Sequence, residues 1–189
     1  IATTTQASHT AGADIGATAL YVGAYTNIPN ITVSGETTSG TATTPASINA
    51  QVTGNGGGNA TAILLGINAQ VPTINVGAHG TLLASVVTTT TEPTPATANA
   101  ATPFNLLAEA ILDQSGNLKN INNGGQIIAA TSVLNPELGS VVNNVARAID
   151  LVPGNGSNVT INNTGIILGD ILLGASGNGN TVNVGNTDS

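Results

Sequence analysis

The chain has 189 residues, 40% hydrophobic and only 6% charged, with nine acids against two cations for a net charge of −7. Lys119 and Arg147 cannot by themselves form the basic patch that nucleic acid or an anionic membrane surface requires, and without cysteine there is no disulfide framework or thiolate chemistry. With no Trp or Met, one Phe (Phe104) and two Tyr (Tyr21, Tyr25), the core must come from Ala, Val, Ile and Leu, which suits stacked strands around a narrow interior.

Residues 1–16 read as an N-terminal extension or the end of a preceding coil. From there one anchor, Ala-x-Ala-Leu/Ile, recurs at 17–20, 60–63, 108–111 and 146–149. Each is followed by a second anchor at nearly the same distance: Ile31, Ile74, Ile121 and Ile161. Such agreement marks an internal repeat, with units near 17–59, 60–107, 108–145 and 146–189. Apolar residues two apart around the second anchor have strand periodicity, and Gly23, Gly66, Gly116 and Gly154 punctuate the units as turns.

Each unit therefore reads as strand, turn, strand, glycine turn, third strand and a variable connection. Third strands are expected near 82–87, 126–131 and 166–173. Long loops are expected at 36–59, 88–107 and 132–145, where Thr, Pro, Asn and Gly accumulate. Short turns of helix are expected only at 103–110 and 136–148. No apolar run approaches the ~20 residues of a membrane-spanning helix. The fold class is all-β: a right-handed parallel β-helix, or β-solenoid, of about four coils with long loops. The chain begins and ends inside the pattern, which predicts that the solenoid continues beyond it.

Stacking the units at about 4.8 Å lines up equivalent residues. Ala19, Ala62, Ala110 and Ala148 should form one inward column, and Ile31, Ile74, Ile121 and Ile161 another. Leu20, Ile63, Ile111 and Ile149 form a neighbouring column or its outward partner. Asn75, Asn122 and Asn162 align, with Thr32 in the first unit, as an amide ladder. Gly35, Gly125 and Gly165 align at a turn expected to need positive φ.

Two stretches are distinctive. Residues 110–127, with Asp113-Gln114-Ser115-Gly116 and Asn123-Gly124-Gly125, resemble the repeating coil of bacterial autotransporter passenger domains. Residues 165–174, with Gly169-Asp170-Ile171, followed by Gly177-Asn178-Gly179-Asn180-Thr181, are similar to further coils of the same proteins. The resemblance implies a type V secreted β-helix at the bacterial cell surface, outside the outer membrane, exported by a barrel absent from these residues. Many such passengers are adhesins.

Catalytic constellations are scarce. The two histidines, His9 and His79, have no Gly-x-Ser-x-Gly to serve. Asp113 and Asp150, near equivalent turns, are the one carboxylate pair to weigh for glycoside hydrolysis, and the competing reading is two exposed turn acids. A polysaccharide-degrading β-helix enzyme is thus the weakest of three readings. Residues 174–182, with Asp170 and Asp188 nearby, superficially match a calcium-binding repeat, but Asn178 and Asn180 stand where carboxylates belong. No cofactor is expected, and calcium is the one metal with a candidate segment. The Gly-rich 54–58 run lacks the lysine of a phosphate loop.

The expectation is a non-catalytic structural or adhesive module of a secreted surface protein; the alternative is a self-assembling filament or surface-layer subunit. Partners would be neighbouring coils, copies of itself, or a host or neighbouring-cell surface; nucleic acid and membrane insertion are not expected.

Overall fold

Alternation of small apolar and polar residues builds the strands. Along 46–53, Ala46, Ile48, Ala50 and Val52 are buried while Ser47, Asn49, Gln51 and Thr53 are partly exposed. A computed structural model describes residues 3–9, 15–38, 42–54, 57–88, 104–133, 141–151, 158–174 and 179–185.

The chain passes repeatedly through three strands. The first pass is β1 (Thr3–His9), β2 (Ile15–Val22) and β3 (Ile31–Val33), followed by a small antiparallel hairpin, β4 (Glu36–Thr38) and β5 (Ala42–Thr44). Next come β6 (Ala46–Gly54), β7 (Gly58–Leu65) and β8 (Thr73–Val76), then β9 (Gly80–Thr88), β10 (Phe104–Asp113) and β11 (Asn120–Asn123). The fourth pass is β12 (Gln126–Val133), β13 (Val141–Leu151) and β14 (Thr160–Asn163). The last is β15 (Ile166–Leu168), β16 (Asp170–Leu172) and β17 (Thr181–Val184).

These strands form three parallel sheets of five. The first is β1-β6-β9-β12-β15, the second β2-β7-β10-β13-β16 and the third β3-β8-β11-β14-β17. The chain is thus all-β with parallel sheets, an arrangement consistent with a β-solenoid. The four repeat units run from β2 to β17, the last of them, 146–189, holding β16 and β17 beyond its third strand β15; β1 precedes them.

The interior has two compartments. The larger holds Ile and Leu from the third sheet and the second half of the second sheet, including Ile63, Ile74, Ile111, Ile121, Ile149 and Ile161. The smaller is a thin seam where Ala60 and Ala108 of the second sheet meet Ala50, Ala84 and Ala129 of the first. Small side chains let the two sheets approach closely there, so the composition of the chain sets the thickness of the seam.

The Ala-x-Ala-Ile anchor marks the junction between compartments. Ala62 and Ile63 are both buried, as are Ala110 with Ile111 and Ala148 with Ile149. Two consecutive inward residues break the alternation and bend the strand. Ala62, Ala110 and Ala148 therefore lie inside, Ala19 is partly buried, and the neighbouring Leu20, Ile63, Ile111 and Ile149 also pack on the core. Leu20, Ile63, Ile111 and Ile149 lie opposite one another in register. The second anchor stacks as Ile31, Ile74, Ile121 and Ile161 in direct register.

Several expectations need correction. The expected loop 36–59 contains the β4–β5 hairpin and the nine-residue strand β6, and β7 begins at Gly58. Thr88 is a fully buried strand residue whose Oγ1 donates to the Gly54 carbonyl at 3.1 Å. Residues 104–107, 132–133 and 141–145, assigned to the other two loops, lie in β10, β12 and β13. The remainder, 89–103 and 134–140, lies outside the described residues. The expected helical turns are also strands over 104–110 and 141–148: both segments pair on two sides within the second sheet, and β-branched Val145 favours that state. The expected third strand at 166–173 is two strands on different sheets, because Gly169, at φ 120°, turns the chain between them.

The turn glycines act by close approach. Gly125 and Gly165 do not have positive φ, and neither does Gly35. A Cβ at Gly125 would drive into the carbonyl oxygens of Gly77 and Gly80, and one at Gly165 would meet backbone atoms of Gly124 and Gly125. Register extends this column to Gly80, not Gly35, because Ala46 pairs with Gly80 and the hairpin intervenes.

Candidate functional site: an uncharged ladder face and a buried carboxylate pair

The third sheet exposes alternate residues. On it Thr73, Asn120, Thr160 and Thr181 form one outward column and Thr32, Asn75, Asn122, Asn162 and Asn183 the next. The second column is hydrogen-bonded end to end. Asn75 Nδ2 donates to Thr32 Oγ1 at 3.5 Å, Asn122 Nδ2 to Asn75 Oδ1 at 2.8 Å and Asn162 Nδ2 to Asn122 Oδ1 at 2.9 Å. Asn183 Nδ2 closes the series on Asn162 Oδ1 at 2.8 Å. All donors point the same way along the stack, so the amide dipoles add. The predicted Asn75, Asn122 and Asn162 thus form a ladder that reaches one rung further, to Asn183.

Beyond the ladder a third column holds Ser34, Gly77, Gly124, Thr164 and Gly185, whose backbone N–H groups, Ser34 apart, bond to the rung before. Missing side chains at Gly77 and Gly124 leave an open groove of about 340 Å³ beside Asn75, Asn122 and Asn162. None of its lining residues is charged or aromatic.

One step inward, Asn123 is buried and holds the corner. Its Oδ1 accepts from Gly125 N at 3.1 Å, and its Nδ2 donates to Asn163 Oδ1 at 2.7 Å and to the Ile166 carbonyl at 3.0 Å. Satisfying an inward amide this way avoids a penalty of about 1–3 kcal/mol.

The second cluster lies on the second sheet. Glu109 sits opposite Arg147 in register, and Asp150 opposite Leu112. Arg147 Nη1 meets Asp150 Oδ2 at 2.6 Å and Glu109 Oε1 at 3.6 Å. Both carboxyl groups are buried. Burial, followed by a hydrogen bond and charge repulsion from Asp150, pushes the Glu109 carboxyl up from 4.5 to about 7 against the pull of Arg147. Glu109 therefore keeps its proton up to about neutral pH, with the Arg147 guanidinium beside both carboxyl groups.

This cluster corrects the Asp113–Asp150 reading. Asp113 and Asp150 are both buried rather than exposed, and they are not opposite one another, since Asp113 pairs with Leu151. Asp113 instead closes a turn: its Oδ1 accepts from Ser115 N at 2.8 Å and from Ser115 Oγ at 2.6 Å. Asp150 has Glu109 as its carboxylate neighbour. The signal was the Glu109 within the first anchor, which falls opposite Arg147 once the anchors are aligned.

Other candidates fall apart in space. His79 is an exposed turn residue whose carbonyl accepts from Ala46 N at 3.1 Å. His9 ends β1, paired with Gly54. In the segment weighed for calcium, Asn180 Oδ1 accepts from Val159 N at 2.9 Å, a structural use of the amide. Asp170 pairs with Arg147 in register, and Asp188 lies outside the described residues. Among the described residues no three His, Asp or Glu side chains converge, and no helix is long and apolar enough to cross a membrane.

No model of a known protein family matches the chain, and neither a curated protein nor a solved structure matches it.

Proposed function

We propose that the chain is a non-catalytic structural and adhesive module of a secreted bacterial cell-surface protein, built as a right-handed parallel β-helix. The observation that carries this reading is the stack itself. Three five-stranded parallel sheets surround a buried Ile/Leu/Val/Ala interior and present an uncharged ladder face to solvent. Such a stack is a stiff rod whose stability is spread over nearest-neighbour contacts. Right-handed winding is the hand expected of parallel crossovers. The two buried carboxyls are engaged with Arg147, which suits a stabilising network better than an acid and base facing a substrate. The similarity of residues 110–127 and 165–174 to autotransporter coils supports the surface location.

The test is protease treatment of intact producing cells, with antibody detection of this segment. We expect the segment to be accessible to antibody and lost only at high protease dose. Detection only after the envelope is broken would overturn the reading.

A second reading, a self-assembling filament or surface-layer subunit, draws on one observation. The last strand of each sheet leaves Ile166, Leu168, Leu172, Val182 and Val184 exposed, and open strand edges of this kind template further strands. Concentration-dependent light scattering of the purified chain separates the readings: growth of long particles favours the filament.

A further inference from the structure

The groove beside the asparagine ladder has a chemistry that selects its occupant. With no charged lining residue, it offers nothing to a phosphate, a nucleic acid or an anionic headgroup. With no aromatic and no large exposed apolar side chain in its lining, it offers no pocket for an apolar peptide anchor. What remains is a repeated pairing of donors and acceptors. Asn75, Asn122 and Asn162 each use one N–H and one side of the carbonyl on the adjacent rungs. That leaves a second N–H and a second lone pair for a partner. A hydroxyl group, donor and acceptor at once, matches such a surface. Beside the amides, the bare backbone of Gly77 and Gly124 with Val76 forms a carbon floor, which suits the C–H face of a sugar ring. The same arrangement recurs from rung to rung at about 4.8 Å, so a polymer of identical units can engage several rungs at once and add their weak contributions.

We propose that this groove binds a neutral linear polysaccharide, its chain lying along the stacking axis with ring hydroxyls on Asn75, Asn122 and Asn162. This names the ligand class of the adhesive role proposed above and rests on that role.

The test uses the 189-residue chain and a panel of neutral polysaccharides as probes. Depletion onto microcrystalline cellulose, chitin and curdlan is measured, and so is retardation in gels containing mannan, xylan or dextran. A Cβ at Gly124 meets nothing closer than 3.7 Å, so Gly124→Leu adds its bulk at the groove, and Gly124→Ala controls for the Cβ alone. Asn122→Ala removes the central amide. We expect at least one polysaccharide to retain the chain, with retention unchanged in about 0.5 M salt because no ion pair is screened. Gly124→Leu should weaken retention by about tenfold or more, with an unchanged circular dichroism spectrum and melting temperature. The proposal is overturned by three results: no retention on any probe, retention lost in salt, or equal retention of wild type, Gly124→Leu and Asn122→Ala. A chain that is exposed on intact cells yet binds no polysaccharide would remove this ligand while leaving the surface scaffold standing.

Discussion

Asn122 donates its Nδ2 to Asn75 Oδ1 at 2.8 Å across 47 residues of sequence. The two amides meet because Ile121 and Ile74 pair in register directly beneath them, so an apolar column on the inside sets the spacing of a polar column on the outside. Replacing Asn122 with Asp turns the donor toward Asn75 into an acceptor and sets two acceptors face to face. We expect Asn122→Asp to destabilise the chain by about 1–3 kcal/mol at neutral pH, and Asn122→Thr by less. Denaturant midpoints check this; an Asp variant as stable as wild type would show that the ladder contributes nothing.

Adjacent glycines should respond oppositely. A Cβ at Gly125 runs into two carbonyl oxygens of the preceding rung, whereas one at Gly124 meets only ordinary contacts at 3.7 Å. Gly125→Ala should cost roughly 3 kcal/mol or more. Gly124→Ala should be neutral within about 0.5 kcal/mol. Thermal melts of the two variants, side by side, read the difference, and similar melts would contradict the packing of this corner.

Glu109 should make stability depend on pH. Its carboxyl titrates near 7 when folded and near 4.5 when exposed, so the folded state holds the proton more tightly. Its contribution is full below about pH 4.5 and is lost as pH rises through about 7, by no more than about 3 kcal/mol. The neutral amide of Glu109→Gln mimics the protonated form. Relative to that variant, wild type should lose stability between pH 5 and pH 8, as measured by denaturant unfolding at each pH. A constant difference between the two proteins would rule out the raised Glu109 carboxyl.

Tyr25 occupies a turn position that favours other residues. It has φ 62° three residues past the end of β2, and at the same place after β7 and β10 stand Asn68 at φ 61° and Gly116 at φ 70°. Tyr25 is 79% exposed, so removing its ring forfeits little packing. Tyr25→Asn should stabilise the chain by about 0.5–1 kcal/mol by relieving the left-handed strain. A lowered melting temperature would mean that the ring has a packing role.

The recurring Ala-x-Ala-Ile and Ile anchors determined the repeat, because strands stacked in register demand equivalent residues at equivalent positions. From that spacing alone the Ile31–Ile74–Ile121–Ile161 column and the Asn75–Asn122–Asn162 ladder follow. The strand 46–54 carried its own alternation of Ala46, Ile48, Ala50 and Val52, but alanine reads weakly as a core residue, and Thr, Asn and Gly between gave the segment the composition of a loop. Only the tertiary structure decided that both members of Ala62–Ile63 face inward, since a bend that breaks a strand's period has no local signature. The same holds for Gly125, whose need for a bare backbone comes from carbonyls some 45 residues earlier. It holds most for Glu109 and Asp150, far apart in sequence and brought together by a register in which Asp150 falls beside Leu112. Periodicity is written along the chain; the meeting of two rungs across a corner depends on how each strand bends, and that is set by everything it packs against.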